Sequence, residues 1–186
     1  MFTDLTLKDF IKKTSSSDPT PGGGAVSAIS ATLGIALILM AFRITFKKTE
    51  KPNILLDFEN RGEALIDKLS NLADEDSKVY DFVMKAYKMS KETEEEKLLR
   101  SEKIQESLKI ASDIPMEIAK TCHEAIELSK IFEQHCKKSC FSDFEAGNYM
   151  LKTAIKSVLL NVKINITMIK DVEYVEKLKA EMEKLL

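Results

Sequence analysis

The sequence predicts an all-α protein, a helical bundle with a buried central apolar helix. Strand-like alternation of polar and apolar residues is nearly absent. The six Gly and four Pro residues fall in a few clusters, so long stretches between them keep an unbroken helical periodicity. One stretch of eighteen residues, 25–42, has the sequence AVSAISATLGIALILMAF and carries no charge. The segments after it have polar faces, which makes it the natural centre of a bundle.

Length and composition set further bounds. A chain of 186 residues can bury a core without disulfides or metal, and no linker is long enough to divide it, so we expect a single domain over residues 1–186. With a formal net charge of -2, the chain lacks the excess of positive charge that nucleic-acid binding requires. Three cysteines are too few, and odd in number, for a disulfide framework, and no signal peptide precedes them. We therefore expect a cytoplasmic protein.

The uncharged stretch is long enough to span a membrane, but its many small residues favour a helix buried in protein, so no membrane association is predicted. Small residues recur at helical spacing along one side and favour close helix contact; they are Ser27, Ala31 and Gly34. A bulkier face has the same period and consists of Leu33, Leu37, Met40 and Ile44. We expect this helix, over 25–46, to be buried within the molecule or between two subunits.

The remaining helices follow from periodicity and capping signals. A short helix over 6–13 precedes the loop 15–24, and a long helix occupies about 54–89. Asp113 before Ile114 and Pro115 reads as an N-cap of a helix that ends near residue 135. Ser142 with Glu145 has the form of a capping box for a helix that reaches about residue 169. Its predicted inward face is Met150, Ala154, Ser157, Asn161, Ile164 and Met168. A last amphipathic helix carries Val172, Val175, Leu178, Met182 and Leu185.

Three places in the sequence have features that could belong to a functional site. The Gly-rich loop PTPGGG leads into the apolar helix but lacks the Lys-Ser/Thr ending of a nucleotide-binding loop. Asp76 occupies an apolar position of a helical stripe. It is either a functional carboxylate that faces the interior or an interface, or a polar interruption that pairs with a neighbouring lysine or lies at a bend. Asp143 begins a helix that carries Asn161 and Asn165 further on.

A metal site is not predicted. His123 adjoins Cys122, and His135 and Cys136 lie near Cys140, but the paired Cys spacing of structural zinc sites is missing. Cys122 is better explained by its position on an apolar stripe.

Four segments together resemble a known family. SSSDPTPGGGAVSAISATLG is similar to its S-x-x-P-T-P-G-G-G-[AS]-V segment, and LADEDSKVYDFVMKAYKM to its D-x-x-A-[FY] helix. ASDIPMEIAKTCHEA resembles its A-x-x-[IV]-P helix start, and FSDFEAGNYML with LLNVKINITMIKD its S-D motif and N-V-x-I-N-[LI] helix. The resemblance spans about residues 3–172 and is to the formiminotetrahydrofolate cyclodeaminase and methenyltetrahydrofolate cyclohydrolase family.

The resemblance implies an all-α homodimer with a folate site in a groove near the subunit interface. The implied reactions are ring closure of 5-formiminotetrahydrofolate with loss of ammonia, or reversible hydrolysis of 5,10-methenyltetrahydrofolate. A tetrahydrofolate derivative would be the substrate, and no permanently bound cofactor or metal would be required. Both reactions need proton transfer at nitrogen or oxygen, which a buried carboxylate can supply.

The same resemblance assigns roles to residues. Asp143, from the S-D motif with Ser142, would be the acid/base, and Asp76 would orient the pterin or shuttle the proton. Asn161 and Asn165 would hydrogen-bond the pterin edge or order the carboxylate. The loop residues expected to line the groove are Pro21, Gly22, Gly23 and Gly24. Lys47 and Lys48 would meet the glutamate tail, although exposed lysines are common at helix ends.

Three positions depart from the family pattern. Lys137 and Ser139 replace the two asparagines of G-N-x-N-x-x-S-D, and Arg43 replaces an asparagine near the end of the apolar helix. A second hypothesis therefore stays open: a catalytically silent or divergent helical dimer that binds a small molecule or a protein partner. The sequence leaves the choice between deaminase and cyclohydrolase undecided.

Overall fold

Six α-helices and three short 3-10 helices make up the protein, which is described over residues 1–186 by a computed structural model. The α-helices are α1 (Leu7–Thr14), α2 (Gly23–Thr45), α3 (Phe58–Tyr87), α4 (Glu94–Glu133), α5 (Phe141–Ile166) and α6 (Val172–Leu185). The 3-10 helices are Phe2–Asp4, Asn53–Leu55 and Lys138–Cys140. There is no strand, and the predicted all-α fold is confirmed.

The central helix α2 packs against α3 and α5 along its length and touches α4. Its last turns enter an aromatic cluster in which Phe42 stacks on Phe58 with ring centroids 4.6 Å apart and meets the edge of Phe132 at 5.4 Å. Phe42 and Phe132 are fully buried. Burial of these large rings fixes the end of α2 that is remote from the Gly-rich loop.

Helix α5 crosses α2 at two glycines. A Cβ added to Gly34 would lie 2.8 Å from the carbonyl oxygen of Gly147, and a Cβ on Gly147 would lie 2.5 Å from that of Gly34. The two backbones are therefore in direct contact, as the small-residue side of α2 predicts. Because Gly23 lies near Asn161 while Gly34 meets Gly147, the two helices run antiparallel.

Helix α2 is long and apolar enough to cross a membrane by length and composition alone, yet more than half of its most apolar stretch is buried inside the protein. The bulky face predicted from the sequence is not buried within the chain. Leu33, Met40 and Ile44 are exposed, and Leu37 is half-buried. One side of α2 is thus a core surface and the other an uncovered apolar stripe.

The predicted N-cap at Asp113 is wrong. Helix α4 begins at the Thr93 cap, where Thr93 and Glu96 form a capping box, and it continues through Pro115 to Glu133. A proline inside a helix removes one N–H and leaves one carbonyl without its helical partner. Helix α4 tolerates this because another helix supplies the missing donor, as the site geometry below describes.

Two predictions about α5 are also wrong. The helix already begins at Phe141, because the 3-10 helix Lys138–Cys140 leads directly into it, so Ser142 is not its N-cap. The predicted inward residues Ile164 and Met168 are exposed. The buried residues of α5 are instead Phe144, Gly147, Leu151, Ala154, Ile155, Val158, Leu159 and Val162. Only Ala154 belongs to both sets.

Candidate active site

A cavity of about 410 Å³ opens at the N-terminal end of α2. The Gly-rich loop, α3, α4, and the C-terminal part of α5 with the turn after it each supply part of its wall. Its lining residues are Pro19, Thr20, Gly22, Gly23, Asp76, Val79, Tyr80, Val83, Leu108, Ala111, Ile114, Pro115, Asn161, Ile164, Asn165 and Met168. Asp76 is the only charged residue among them. The cavity is therefore mostly apolar, with a few polar groups that converge on it, which is typical of small-molecule sites.

Asp76 caps the first turn of α2. Gly22 stands at the N-cap position and has no side chain for this purpose, and the Ala25 N–H donates instead to Asp76 Oδ2 at 2.9 Å. The second carboxylate oxygen of Asp76 has no hydrogen-bond partner in the chain. It is open to solvent, since the only buried side-chain nitrogen or oxygen without a partner is Ser77 Oγ. One oxygen of Asp76 holds a helix end, and the other faces the cavity.

The carboxyl group of Asp76 has an altered affinity for protons. Burial among apolar side chains raises its pKa from 3.8 to about 6, and the hydrogen bond from Ala25 opposes this rise only in part. A carboxyl group with a pKa near neutrality can both accept and return a proton at physiological pH. The structure does not contain the lysine pair that the sequence offered as an alternative explanation of Asp76.

Two glycines of the loop bring backbone close to polar side chains. A Cβ on Gly24 would overlap the Asp76 carboxylate, with Cγ only 2.5 Å away. A Cβ on Gly23 would lie 3.8 Å from Asn161 Oδ1, which is ordinary contact distance. Gly24 is therefore required by the approach of Asp76, whereas Gly23 keeps a surface of the cavity flat. Pro21 is buried and, like Gly24, is not among the residues that line the cavity.

The two predicted asparagines both line the cavity but differ in their bonding. Asn165 Nδ2 donates to the Ala111 carbonyl at 2.6 Å. Asn148 and Asn165 of α5 hydrogen-bond within the chain, whereas the Asn161 amide has no hydrogen-bond partner there. Asp76, Asn161, Asn165 and the Gly-rich loop, which are far apart in the sequence, thus meet in one place.

Sequence reasoning missed Tyr80. It lies four residues after Asp76 on α3, so the two side chains share a helix face, and that spacing was a signal that could have found it. Its ring gives the otherwise aliphatic wall an aromatic surface. Thr20, Pro115 and Met168 also line the cavity without having been predicted, because their positions depend on how four separate segments pack.

Asp143 and Ser142 lie outside this cavity. They stand at the start of α5, eighteen residues before Asn161, and the rise of 1.5 Å per residue places Asp143 about 27 Å from Asn161 along the helix. Asp143 is half-buried and Ser142 exposed. Within one chain, Asp143 and Ser142 are therefore not among the residues that line the cavity with Asp76.

Lys47 and Lys48 are exposed beyond the C-terminal end of α2, which is about 33 Å from its first residue. The three departures from the family pattern lie at this same end, with Ser139 in the 3-10 helix Lys138–Cys140. Lys137 donates its N–H to Thr45 Oγ1 at 3.2 Å, and Arg43 pairs with Glu59 at 2.6 Å. These substitutions therefore leave the cavity walls untouched.

No group of three or more His, Cys, Asp or Glu side chains is arranged to hold a metal ion. Cys122 is buried on the inner face of α4, and burial raises the pKa of its thiol to about 12. It has the surroundings of a core residue.

Comparison with known proteins identifies the family of this chain. The family model described as formiminotransferase-cyclodeaminase matches residues 6–184. A methenyltetrahydrofolate cyclohydrolase of Methylorubrum extorquens is 34% identical over 97% of this chain and 88% of its own length. A formimidoyltransferase-cyclodeaminase of Gallus gallus is 30% identical over 96% of this chain, which spans only 33% of that longer protein. The crystal structure of a formiminotetrahydrofolate cyclodeaminase from Thermotoga maritima superposes with a TM-score of 0.80 at 26% identity, covering 100% of this chain and 93% of that one. The chain therefore belongs to the formiminotransferase-cyclodeaminase family.

Proposed function

We propose that this chain is an enzyme of folate one-carbon metabolism that hydrolyses 5,10-methenyltetrahydrofolate to 10-formyltetrahydrofolate, with Asp76 as the acid/base. The observation that carries the proposal is a single carboxylate of raised pKa in an otherwise uncharged cavity. The relative from Methylorubrum extorquens, matched over nearly its whole length, supports the choice of reaction.

The cavity suits the charge and shape of this substrate. The methenyl bridge is a cation shared between N5 and N10, and Asp76 is the only charged group on the walls to balance it. The flat surface of Gly22 and Gly23 admits a planar ring at close range. Tyr80 offers an aromatic face for stacking, and Asn161 offers an unpaired amide to the pterin edge.

In the hydrolysis, water attacks the bridging carbon while the Asp76 carboxylate accepts a proton from it. The C–N5 bond then breaks, and the proton held by Asp76 passes to N5, which yields the 10-formyl product. The overall reaction consumes one water and releases one proton to solvent. A carboxyl group with a pKa near 6 is deprotonated often enough to start this sequence at neutral pH and acidic enough to complete it.

The second candidate reaction is the cyclodeaminase reaction, supported by the likeness to the Thermotoga maritima protein over the whole chain. In it, N10 attacks the formimino carbon, Asp76 takes the proton from N10 and passes it to the departing nitrogen, and ammonia leaves. The same carboxylate serves both reactions because both pass through a tetrahedral carbon between N5 and N10. A tetrahydrofolate derivative is the substrate in either case, and we propose no permanently bound cofactor.

We further propose that the chain works as a cytoplasmic homodimer. The stripe of exposed Leu33, Met40 and Ile44 with half-buried Leu37 is an apolar surface on the central helix. Covering it with the same stripe of a second copy makes an isologous interface. An antiparallel pairing of the two α2 helices would bring the Lys47 and Lys48 end of one copy beside the cavity end of the other. This arrangement gives the glutamate tail a basic partner that the cavity itself lacks.

The experiment is an absorbance assay of purified protein with 5,10-methenyltetrahydrofolate and with 5-formiminotetrahydrofolate. We expect turnover of the first, and a loss of roughly 100-fold to 10,000-fold in Asp76→Asn, which keeps the shape of the side chain but cannot exchange the proton. Asp143→Asn is the comparison variant, and it should retain most of the activity if the cavity of one copy holds all the catalytic groups.

The outcomes separate the hypotheses. Turnover of the formimino compound alone would assign the cyclodeaminase reaction. Folate binding without turnover of either compound would identify a catalytically silent member of the family, the second hypothesis from the sequence. If Asp143→Asn were inactive and mixing it with Asp76→Asn restored activity, Asp143 of one copy would act in the cavity of the other.

A further inference from the structure

Pro115 creates a free hydrogen-bond acceptor in the wall of the cavity. It lies inside α4, and a proline there removes the N–H that would bond the carbonyl four residues earlier, while its ring pushes that carbonyl away. The carbonyl belongs to Ala111, and both residues line the cavity. A half-buried carbonyl without a partner would be costly, so a donor from elsewhere is required.

Asn165 of α5 supplies this donor. Its Nδ2 lies 2.6 Å from the Ala111 oxygen. Only the NH₂ end of an amide can donate to a carbonyl, so the contact defines which way the Asn165 amide faces. Its Oδ1 receives no hydrogen bond in the chain. If this oxygen were buried it would be a buried polar atom without a partner, and Ser77 Oγ is the only such atom, so Asn165 Oδ1 is open to solvent.

We propose that Pro115 is a positioning residue that locks Asn165 as a hydrogen-bond acceptor in the cavity. The inference rests on the proposed function, in which the group that Asn165 Oδ1 accepts from is an N–H of the reduced pterin, at its 2-amino group or N3. Asn161, which has no such restraint, can rotate and present either end of its amide. The two asparagines thus differ in role: Asn165 accepts a hydrogen bond from a donor group of the ligand, and Asn161 can either donate or accept.

The hydrogen bond joins two segments that are far apart in the sequence. Ala111 and Pro115 are the ends of the segment ASDIP, and Asn165 ends the segment NVKIN. The first provides a carbonyl without a helical partner, and the second provides the amide that needs a fixed orientation.

The hydrogen bond itself is tested without folate, by urea unfolding of Pro115→Ala, Asn165→Ala and the double variant. An alanine at 115 restores the N–H that bonds the Ala111 carbonyl within α4 and folds at least as well as the parent. We expect Asn165→Ala to lower the urea midpoint of the parent clearly and to leave that of Pro115→Ala almost unchanged. Equal effects of Asn165→Ala in the parent and in Pro115→Ala would overturn the proposal that Pro115 positions Asn165.

The acceptor role is tested by calorimetric titration with 5-formyltetrahydrofolate and with the analogue whose 2-amino group is replaced by methyl. The parent should bind the amino compound roughly 3-fold to 10-fold more tightly, as one hydrogen bond allows. Pro115→Ala should lose most of this preference and show a raised KM with kcat nearly unchanged. Asn148→Ala, an asparagine of α5 that bonds Phe144 instead, is the control and should keep the preference.

An unchanged preference in Pro115→Ala, or a fall in kcat with KM unaffected, would overturn the positioning role. If the parent binds neither compound, the proposed function fails, and the unfolding experiment still decides whether Pro115 and Asn165 are coupled. The two failures are therefore distinguishable.

Discussion

Asp76 combines a structural task and a chemical one, because its two carboxylate oxygens have different surroundings. One accepts from the Ala25 N–H at the start of α2, and the other is open to the cavity. The sequence alone singles out Asp76 as a polar residue on an apolar stripe. It does not reveal the helix that Asp76 caps, since Ala25 is fifty-one positions away along the chain.

The first prediction concerns the pH dependence of turnover. If Asp76 is the base, its carboxylate form is active, so kcat/KM for methenyltetrahydrofolate should rise with pH and level off above about pH 6. The measurement is a set of initial rates between pH 5 and 8, corrected for hydrolysis without enzyme. A profile that levels off below pH 5 would show that a group with an ordinary carboxyl pKa controls the rate.

The same raised pKa predicts how folding stability changes with pH. The folded chain binds the Asp76 proton more tightly than the unfolded chain, so the contribution of this group to stability falls as pH rises from about 4 to about 6. Asp76→Asn keeps an oxygen for the Ala25 N–H and removes the titration. Urea unfolding at several pH values should therefore show a smaller decline for Asp76→Asn than for the parent. Parallel declines would assign the effect to other groups.

Gly24 and Gly23 form a matched pair. Gly24→Ala places a Cβ against the Asp76 carboxylate and should displace it, so we expect turnover to fall at least about 10-fold while the helix still forms. Gly23→Ala leaves Asp76 in place but adds a methyl group to the flat cavity surface, so we expect a raised KM with kcat close to that of the parent. Kinetics and circular dichroism of both variants test this. Equal losses would mean that backbone freedom, not the approach of Asp76, requires glycine in the loop.

At the scale of elements, the helices could be predicted largely from periodicity and their boundaries could not. The apolar period of α2 and the stripe of α3 follow from local sequence. The uninterrupted α4 does not, because a proline normally marks a helix start, and here the amide of Asn165 from α5 compensates for it. The orientation of α5 was missed for a similar reason: the contact of Gly147 with Gly34, not local polarity, decides which face turns inward.

The crossing of α2 and α5 leads to a prediction about stability. Gly34→Ala would push a Cβ into the backbone oxygen of Gly147, so the helices must separate, and we expect a loss of about 1–3 kcal/mol. Gly62→Ala is the comparison, because its Cβ meets only the methyl end of Leu39, which can move. Urea unfolding should show a clearly smaller loss for Gly62→Ala. The reverse order would indicate that α5 shifts freely along α2.

At the scale of the whole molecule, the uncovered apolar stripe of α2 predicts a dimer that charged side chains introduced into the stripe would dissociate. Replacing Leu33 and Met40 together with glutamate places two charges in the proposed interface and should yield a monomer by light scattering after gel filtration. Leu98→Glu alters an equally exposed leucine on α4, outside the stripe, and should not change the mass. A parent that is itself monomeric at micromolar concentration would contradict the proposed homodimer.

The wall of the cavity has a thermodynamic consequence. Its four segments are far apart along the chain, so a bound ligand acts as an additional cross-link between parts that must separate on unfolding. A ligand at one hundred times its Kd would add about 2.7 kcal/mol to the free energy of unfolding. The melting temperature should consequently rank folate derivatives by affinity even in Asp76→Asn, where turnover no longer consumes them. Substrate preference is thereby open to measurement in a protein that has lost its activity.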